Sequence, residues 1–93
     1  MILYLIYLEL IEKGISHNSI YGVSPSFRHA KRIALEYYHA DFNTITKKNG
    51  KKIPYFLPLI EMWDTLADRD GGDRIGRFIY NKKLKIFEFE EDD

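Results

Sequence analysis

The first hydrophobic positions of the chain form a nearly continuous run. Residues 2–11 are Ile, Leu and Tyr apart from Glu9, so both alternating sets are apolar. Such a run is typical of a strand that is buried on both faces at the centre of a sheet, with a short buried helix as the alternative. Lys13-Gly14 then indicates a turn, although a longer connection through residues 16–19 fits equally well, and residues 15–23 are predicted to form the partner strand.

The next segment changes to helical spacing. From Phe27 the apolar residues recur at steps of three and four, which places them on one face of a helix. Either Ser24, which precedes Pro25, or Ser26 can cap its amino terminus. We therefore expect a helix over about residues 25–39 that packs on a sheet face through Phe27, Ala30, Ile33, Ala34 and Tyr37.

A hairpin is predicted after this helix. Asn49-Gly50 lies between two β-prone stretches, residues 44–46 and Ile53. An Asn-Gly pair is a strong hairpin signal because both residues tolerate positive φ. Pro54 has no backbone N–H to donate, so the ribbon is expected to be short or to lie at a sheet edge.

The last third of the chain has spacing that predicts a second helix and a final hairpin. Pro58 can open a helix over Leu59–Asp68, and the Asp- and Gly-rich residues 70–73 would end it. Residues 75–80 and 83–90 would then pair around Asn81-Lys82. The fold predicted from these elements is α+β, a small antiparallel sheet with two helices in the order β-β-α-(β-β)-α-β-β.

The apolar residues of the last predicted strand change phase along its length. Leu84 and Ile86 would share one face, whereas Phe87 and Phe89 would share the other. This pattern indicates either burial on both sides or a bulge near Phe87.

Composition supports one folded domain over residues 1–93. Aromatic residues make up 15% of the chain, enough to build a core and to argue against disorder. There is no cysteine, which excludes disulfides, thiolate zinc sites and a cysteine nucleophile and fits a reducing, cytoplasmic location. The apolar run at the start is too short for a membrane span and lacks the basic flank of a signal peptide, so no membrane association is expected.

Charge is balanced overall but uneven along the chain. Residues 28–52 contain seven basic and two acidic residues, and residues 74–85 contain five basic residues and no acid. Residues 88–93 contain five acids and form a predicted acidic tail. The folded surface is therefore expected to be divided into patches of opposite sign.

Residues 21–32, Tyr-Gly-Val-Ser-Pro-Ser-Phe-Arg-His-Ala-Lys-Arg, follow the amino-terminal strands. This stretch resembles the strand–turn–helix opening of small phage and bacterial proteins, in which "G-V-F-S-S-x-x-x-A" leads from a hairpin into a helix packed on the sheet. Ser24 stands where those proteins have an aromatic residue, and Pro25 also departs from their pattern. The resemblance implies the α+β fold, and the Lys-, Ile-, Tyr- and Asn-rich usage is similar to that of early phage proteins.

No motif for catalysis or metal binding is recognisable. His29 and His39 are ten residues apart on one helix, about 15 Å along its axis, so they cannot share a metal ion with each other. A calcium loop that started at Asp68 would need oxygen ligands where Gly72 and Ile79 stand. We therefore expect no cofactor, no metal and no enzymatic activity.

The function expected from the sequence is a non-enzymatic protein-interaction module. The absence of a catalytic motif, the uneven charge, the acidic tail and the partial resemblance together suggest a phage-type accessory or inhibitor protein that binds and modulates a host protein, such as a defence or transcription component. Aromatic side chains around residues 53–63 would complete the core or, if exposed, form an interface with a host protein or a second copy. The residues expected to bind a partner are Trp63 and Phe56 with the acids Glu88, Glu90, Glu91, Asp92 and Asp93.

Nucleic-acid binding is the alternative function. It would use the basic helix face and the lysine-rich hairpin if the two are adjacent, with Tyr37, Tyr38 or Phe42 stacking on bases. A net charge of zero argues against it, and lysines at a hairpin tip also protect sheet edges from aggregation. The basic residues concerned are Arg28, Lys31, Arg32, Lys47, Lys48, Lys51 and Lys52.

Overall fold

A computed structural model describes residues 1–10, 16–54, 56–65 and 72–92. The side chains of residues 9, 10 and 16–19 are outside this description. The elements are β1 (Ile2–Leu10), β2 (Ser16–Ser24), α1 (Phe27–Tyr38), a 3₁₀ turn (Asp41–Asn43), β3 (Thr44–Thr46), β4 (Lys52–Pro54), β5 (Phe56–Asp64), β6 (Asp73–Asn81) and β7 (Ile86–Glu91). Most of the described chain is antiparallel sheet, which confirms the sheet and one of the two predicted helices.

Five strands form one sheet in the order β2-β1-β5-β6-β7, and every neighbouring pair is antiparallel. The strand β1 pairs with β2 on one side and with β5 on the other, as its two apolar faces predicted. The strands β3 and β4 form a separate ribbon. This ribbon is short, as expected from Pro54, and Gly50 has a φ of 82° in its turn.

The helix α1 packs on one face of the five-stranded sheet. Its contacts are with β1, β2 and β5. Ala30 and Ala34 pack against Ile6 and Ile60, and all four are fully buried. Of the two candidate caps, Ser26 is the N-cap, because its side chain accepts a hydrogen bond from the backbone N–H of His29. No helix in the described residues is long and apolar enough to cross a membrane.

The predicted second helix is wrong over residues 59–64, which belong to the strand β5. All nine residues of β5 pair in register with β1. A strand that is apolar on both faces has no visible period of two, so the helical spacing of Leu59, Met62 and Trp63 could not be distinguished from that of a helix. The pairing of β5 with β6 runs from Leu59 to Asp64, so Pro58 lies outside it and its missing N–H removes no bond from that ladder. The predicted residues 66–68 of that helix lie outside the described residues.

The final hairpin is present, and its turn explains the phase change in the sequence. Residues 82–85 form the turn, and Lys85 takes a φ of 58°. Leu84 therefore belongs to the turn, where it is 61% exposed, and not to the strand. Within β7, Phe87 pairs with Tyr80 and Phe89 with Phe78, and the register is regular. No bulge near Phe87 is needed.

Candidate functional site

The sheet face opposite α1 carries a large mixed surface, here called the open face. Ile6 and Ile60 point toward the helix, so their odd-numbered neighbours in β1 and β5 point to the other side, and cross-strand partners follow them. No helix within the described residues packs on this side. The open face consists of Leu3, Leu5, Tyr7, Ile20, Val23, Leu57, Leu59, Trp63 and Ile79 with the charged residues Glu61, Arg74, Arg77, Glu88, Glu90 and Asp92.

Glu61 organises the centre of the open face. Its carboxylate accepts a hydrogen bond from the indole N–H of Trp63 at 3.3 Å and from the Arg74 guanidinium at 2.7 Å. Arg74 also donates two bonds to the carboxylate of Asp92, at 2.6 and 3.1 Å. The Glu61 side chain is only 13% exposed. This network therefore holds an aromatic ring and a guanidinium in fixed positions among aliphatic side chains.

The same carboxylate also perturbs Tyr7. Burial and the hydrogen bond that the Tyr7 hydroxyl donates to Glu61 together raise the pKa of Tyr7 to about 12, and burial is the larger cause. The carboxylates of Asp92 and Glu61 hold the pKa of the Arg74 guanidinium above its already high usual value. Tyr7 and Arg74 therefore both keep their protons throughout the physiological pH range.

The residues predicted as an acidic tail lie mostly in β7 at the edge of the sheet. Glu90 pairs with Arg77 at 2.9 Å, and Glu88 accepts a hydrogen bond from the Asn81 amide at 2.8 Å. Asp92 binds Arg74 directly after the strand. Glu91 follows Glu90 on the helix side of the strand and is exposed. Asp93 lies outside the described residues.

Trp63 and Phe56 do not belong to one surface. They are seven positions apart in a regular strand, so their side chains point to opposite faces of the sheet. Trp63 lies on the open face, half-buried beside Glu61. Phe56 lies at the first position of β5, where its backbone bonds to Asn43. The structure therefore supports Trp63 as part of the open face and separates Phe56 from it.

A second surface lies beyond the carboxyl-terminal half of α1. The rings of Tyr21, Tyr37 and Phe42 form an aromatic cluster with centroid separations of 4.9, 6.1 and 6.0 Å. Phe42 is nearly parallel to Tyr21, at an interplanar angle of 13°, and is 60% exposed. Tyr38, the third aromatic side chain considered for base stacking, instead enters the core and contacts Tyr80.

The lysine hairpin, residues 44–54, begins directly after this aromatic cluster. Its base is fixed by Asn43, which is fully buried. The Asn43 amide donates to the carbonyls of Tyr38 and Phe56, and its oxygen accepts from the Phe56 N–H at 2.7 Å. One side chain thus ties the end of α1 to the start of β5 at the root of the hairpin, and the four lysines project beyond it.

The two predicted basic patches are not adjacent. Arg28 lies in the first turn of α1, and the lysine hairpin follows its last turn, so about 15 Å of helix separates them. The ammonium of Lys31 lies 5.6 Å from the centre of the Phe27 ring. Arg28 and Arg32 flank an open pocket of about 450 Å³ together with Ser26 and His29. The helix patch and the lysine hairpin are therefore two separate surfaces.

The other side chains considered for chemistry are not brought together. Within the described ranges, no group of three or more His, Asp or Glu residues could hold a metal ion. His29 lies 3.0 Å from the Ser24 hydroxyl at the start of the helix. Asp73 is the first residue of β6, whereas Asp68 and Asp70 lie outside the described residues.

Sequence reasoning missed Tyr7, Glu61, Arg74 and Arg77 as members of a site. A signal for one of them was present, because Glu61 is the one charged residue between Ile53 and Trp63. A buried carboxylate in an apolar strand requires donors. Apart from Trp63 in β5 itself, however, the donors come from β1 and β6, and the register of these strands with β5 could not be read from the pattern.

Comparisons with known proteins identify no relative, since no family model, no curated protein and no solved structure matches the chain.

Proposed function

We propose that the chain is a non-enzymatic protein-interaction module that binds a partner protein through the open face. The observation that carries this proposal is the network of Trp63, Glu61 and Arg74 on a sheet face that no described helix covers. Trp, Tyr and Arg are the residue types that most often dominate binding energy in protein interfaces. All three types meet here, since Tyr7 binds the same carboxylate.

The dimensions of the open face suit such an interface. Five strands of up to nine residues span a surface of roughly 24 by 30 Å, or about 700 Å². A standard protein–protein interface buries about 800 Å² on each partner. The face is therefore large enough for one stable contact with a single protein.

Because the side chains of the network are already held in place, the entropic cost of binding a partner is lower. Glu61 fixes the Trp63 indole, and two carboxylates fix the Arg74 fork. Each long side chain that is already immobile avoids an ordering cost of about 0.5–1.5 kcal/mol on association. The side chains of the open face are therefore already ordered before a partner binds.

Charge specifies the chemistry of the partner. Toward β7 the open face carries two arginines, Arg74 and Arg77, against four carboxylates, those of Glu61, Glu88, Glu90 and Asp92. Toward β2 it is apolar, with Leu5 beside Val23, which is 52% exposed. We therefore propose a partner with an apolar centre and a basic rim. The resemblance to small phage proteins directs the search to a host protein, with a defence or transcription component first.

The proposal is tested by capture from host-cell lysate with the tagged full chain, before and after nuclease treatment. Val23→Glu places a charge at an exposed position in the apolar half of the open face. Ile45→Glu is the matched control, because Ile45 is also β-branched, in a strand and 43% exposed, but lies on the lysine hairpin. Thermal melting of both variants checks that the fold is kept.

We expect one stoichiometric protein partner that survives nuclease, that the Ile45→Glu chain retains and that the Val23→Glu chain binds at least tenfold more weakly. The purified partner should also lose more than tenfold in affinity for Trp63→Ala. Equal binding by all variants would overturn the proposal. Self-association that Val23→Glu abolishes would show that a second copy, and not a host protein, occupies the face.

A further inference from the structure

We propose that the aromatic cluster and the lysine hairpin together form a binding site for single-stranded nucleic acid. This surface is made of Tyr21, Tyr37 and Phe42 with Lys47, Lys48, Lys51 and Lys52. This surface shares no residue with the open face, so the proposed nucleic-acid site can be tested independently of the protein interaction.

The aromatic cluster provides a stacking platform. Phe42 is a large apolar side chain that is 60% exposed and contacts two further aromatic rings. Tyr21 lies nearly parallel to it on one side, and Tyr37 meets it at 65°. The ring is therefore supported from behind and presents its remaining surface outward. Every base has a face that can stack on such a ring, whatever the sequence.

The lysine hairpin supplies the charge that a phosphate backbone requires. Residues 42–60 contain four lysines and no acid. The ion pairs of the described residues lie elsewhere, on the amino terminus, Arg74 and Arg77. The four ammonium groups therefore have no ion pair within the described chain, in contrast to the carboxylates of Glu90 and Asp92.

The two parts lie within reach of one strand of nucleic acid. Phe42 and Lys47 are five residues apart, so their Cα atoms are separated by at most about 17 Å. The hairpin cannot swing freely at its root, because Asn43 holds it to both α1 and β5. A base stacked on Phe42 consequently has its neighbouring phosphates close to the lysines.

The geometry favours a single strand over a duplex. Stacking on Phe42 needs an accessible base face, which a duplex hides within its own stack. The helix patch of Arg28 and Arg32 is not required, since it lies in the amino-terminal half of α1, whereas the hairpin follows the last turn. Affinity should therefore depend on one ring and one lysine cluster and only weakly on base sequence.

Fluorescence anisotropy of the full chain with labelled oligothymidine tests the site, with a duplex of equal length as the second probe. We expect binding at low salt that prefers the single strand. The logarithm of affinity should fall with the logarithm of salt concentration with a slope of up to about −3 if four phosphates are contacted. Replacing all four lysines by alanine should remove most of that slope.

Two pairs of variants complete the design. Phe42→Ala should weaken binding by about tenfold or more, whereas Phe42→Trp should preserve it. The double variant Lys82→Ala/Lys83→Ala removes two exposed lysines from the β6–β7 turn and should have little effect. The proposal is overturned by no binding at low salt, by equal affinity for the duplex, by an unchanged affinity for Phe42→Ala, or by an equal loss in the turn double variant.

Discussion

The two faces of the five-stranded sheet contain similar apolar side chains but differ in what lies against them. On the helix face Ile6 and Ile60 are fully buried under Ala30 and Ala34. On the open face Leu5 and Trp63 are only half-buried, and the centre is occupied by a carboxylate with its donors. The helix face therefore stabilises the fold, whereas the open face retains apolar surface that a partner can still bury.

This difference shows how a central strand can contribute to fold stability on one face and to binding on the other. The strands β1 and β5 are apolar on both sides, but within the described chain a helix covers only one of them, and we propose that a partner covers the other. The charged half of the open face is hydrophilic, so it does not need a second helix to cover it. Changes on the helix face should therefore affect stability, and changes on the open face should affect binding.

Ile60→Ala should produce the largest effect on stability. It removes a fully buried side chain from beneath Ala30 and Ala34, and such truncations cost about 2–5 kcal/mol in the free energy of unfolding. Urea denaturation measures the change. A loss below about 1 kcal/mol would mean that the helix face is not the core.

Leu5→Ala is the matched change on the open face and should cost clearly less, about 1 kcal/mol. Leu5 pairs with Glu61 and Val23 and is half-buried, so only part of its transfer free energy is gained on folding. The same denaturation experiment applies. A cost equal to that of Ile60→Ala would show that the open face is covered in the isolated chain.

Glu61→Gln should lower the pKa of Tyr7 while leaving it above its usual value of 10.0. Burial, the larger cause of the shift, remains after the substitution, whereas the charge of the carboxylate is lost. Because the pKa of Tyr7 is raised in the folded state, this group's stabilisation is complete below pH 10 and disappears as the pH rises toward 12. Ultraviolet titration of tyrosine ionisation and alkaline denaturation measure the change. Identical behaviour of the variant and the wild type would contradict the prediction.

Arg77→Ala should have the smallest effect, about 0.5 kcal/mol or less. Arg77 pairs with Glu90 across β6 and β7, but the two side chains are 35% and 57% exposed. Exposed ion pairs contribute little because water and salt screen them. Thermal melting at low and high salt measures the change, and a loss that persists unchanged at high salt would contradict an exposed pair.

Local elements of the fold were predictable, because their signals are local. The spacing from Phe27 to Tyr38 matches one helical face, and Asn49-Gly50 has the turn chemistry that its hairpin requires. The strand β5 was not predictable, because its burial comes from β1 and β6, which are distant along the chain. A run of residues that is apolar on both alternating sets fits a helix as well as a strand.

The candidate sites were predictable only in part, for the same reason. Trp63 is recognisable by residue type, yet its companions Tyr7 and Arg74 come from other strands and depend on register. The lysines of the hairpin are obvious from the sequence, but their separation from Arg28 follows from the direction of α1. The carboxylates of residues 88–93 are equally obvious, but the pairing of Asp92 with Arg74 and of Glu90 with Arg77 depends on the strand register.

The most direct test of the open face as the protein-binding surface is oxidative footprinting of aromatic side chains, with and without the captured partner. The open face as the interface predicts that Trp63 and Tyr7 are labelled less in the complex, while Phe42 and Tyr37 are labelled to the same extent. Protection of Phe42 with unchanged labelling of Trp63 and Tyr7 would contradict it and would place the partner on the aromatic cluster instead.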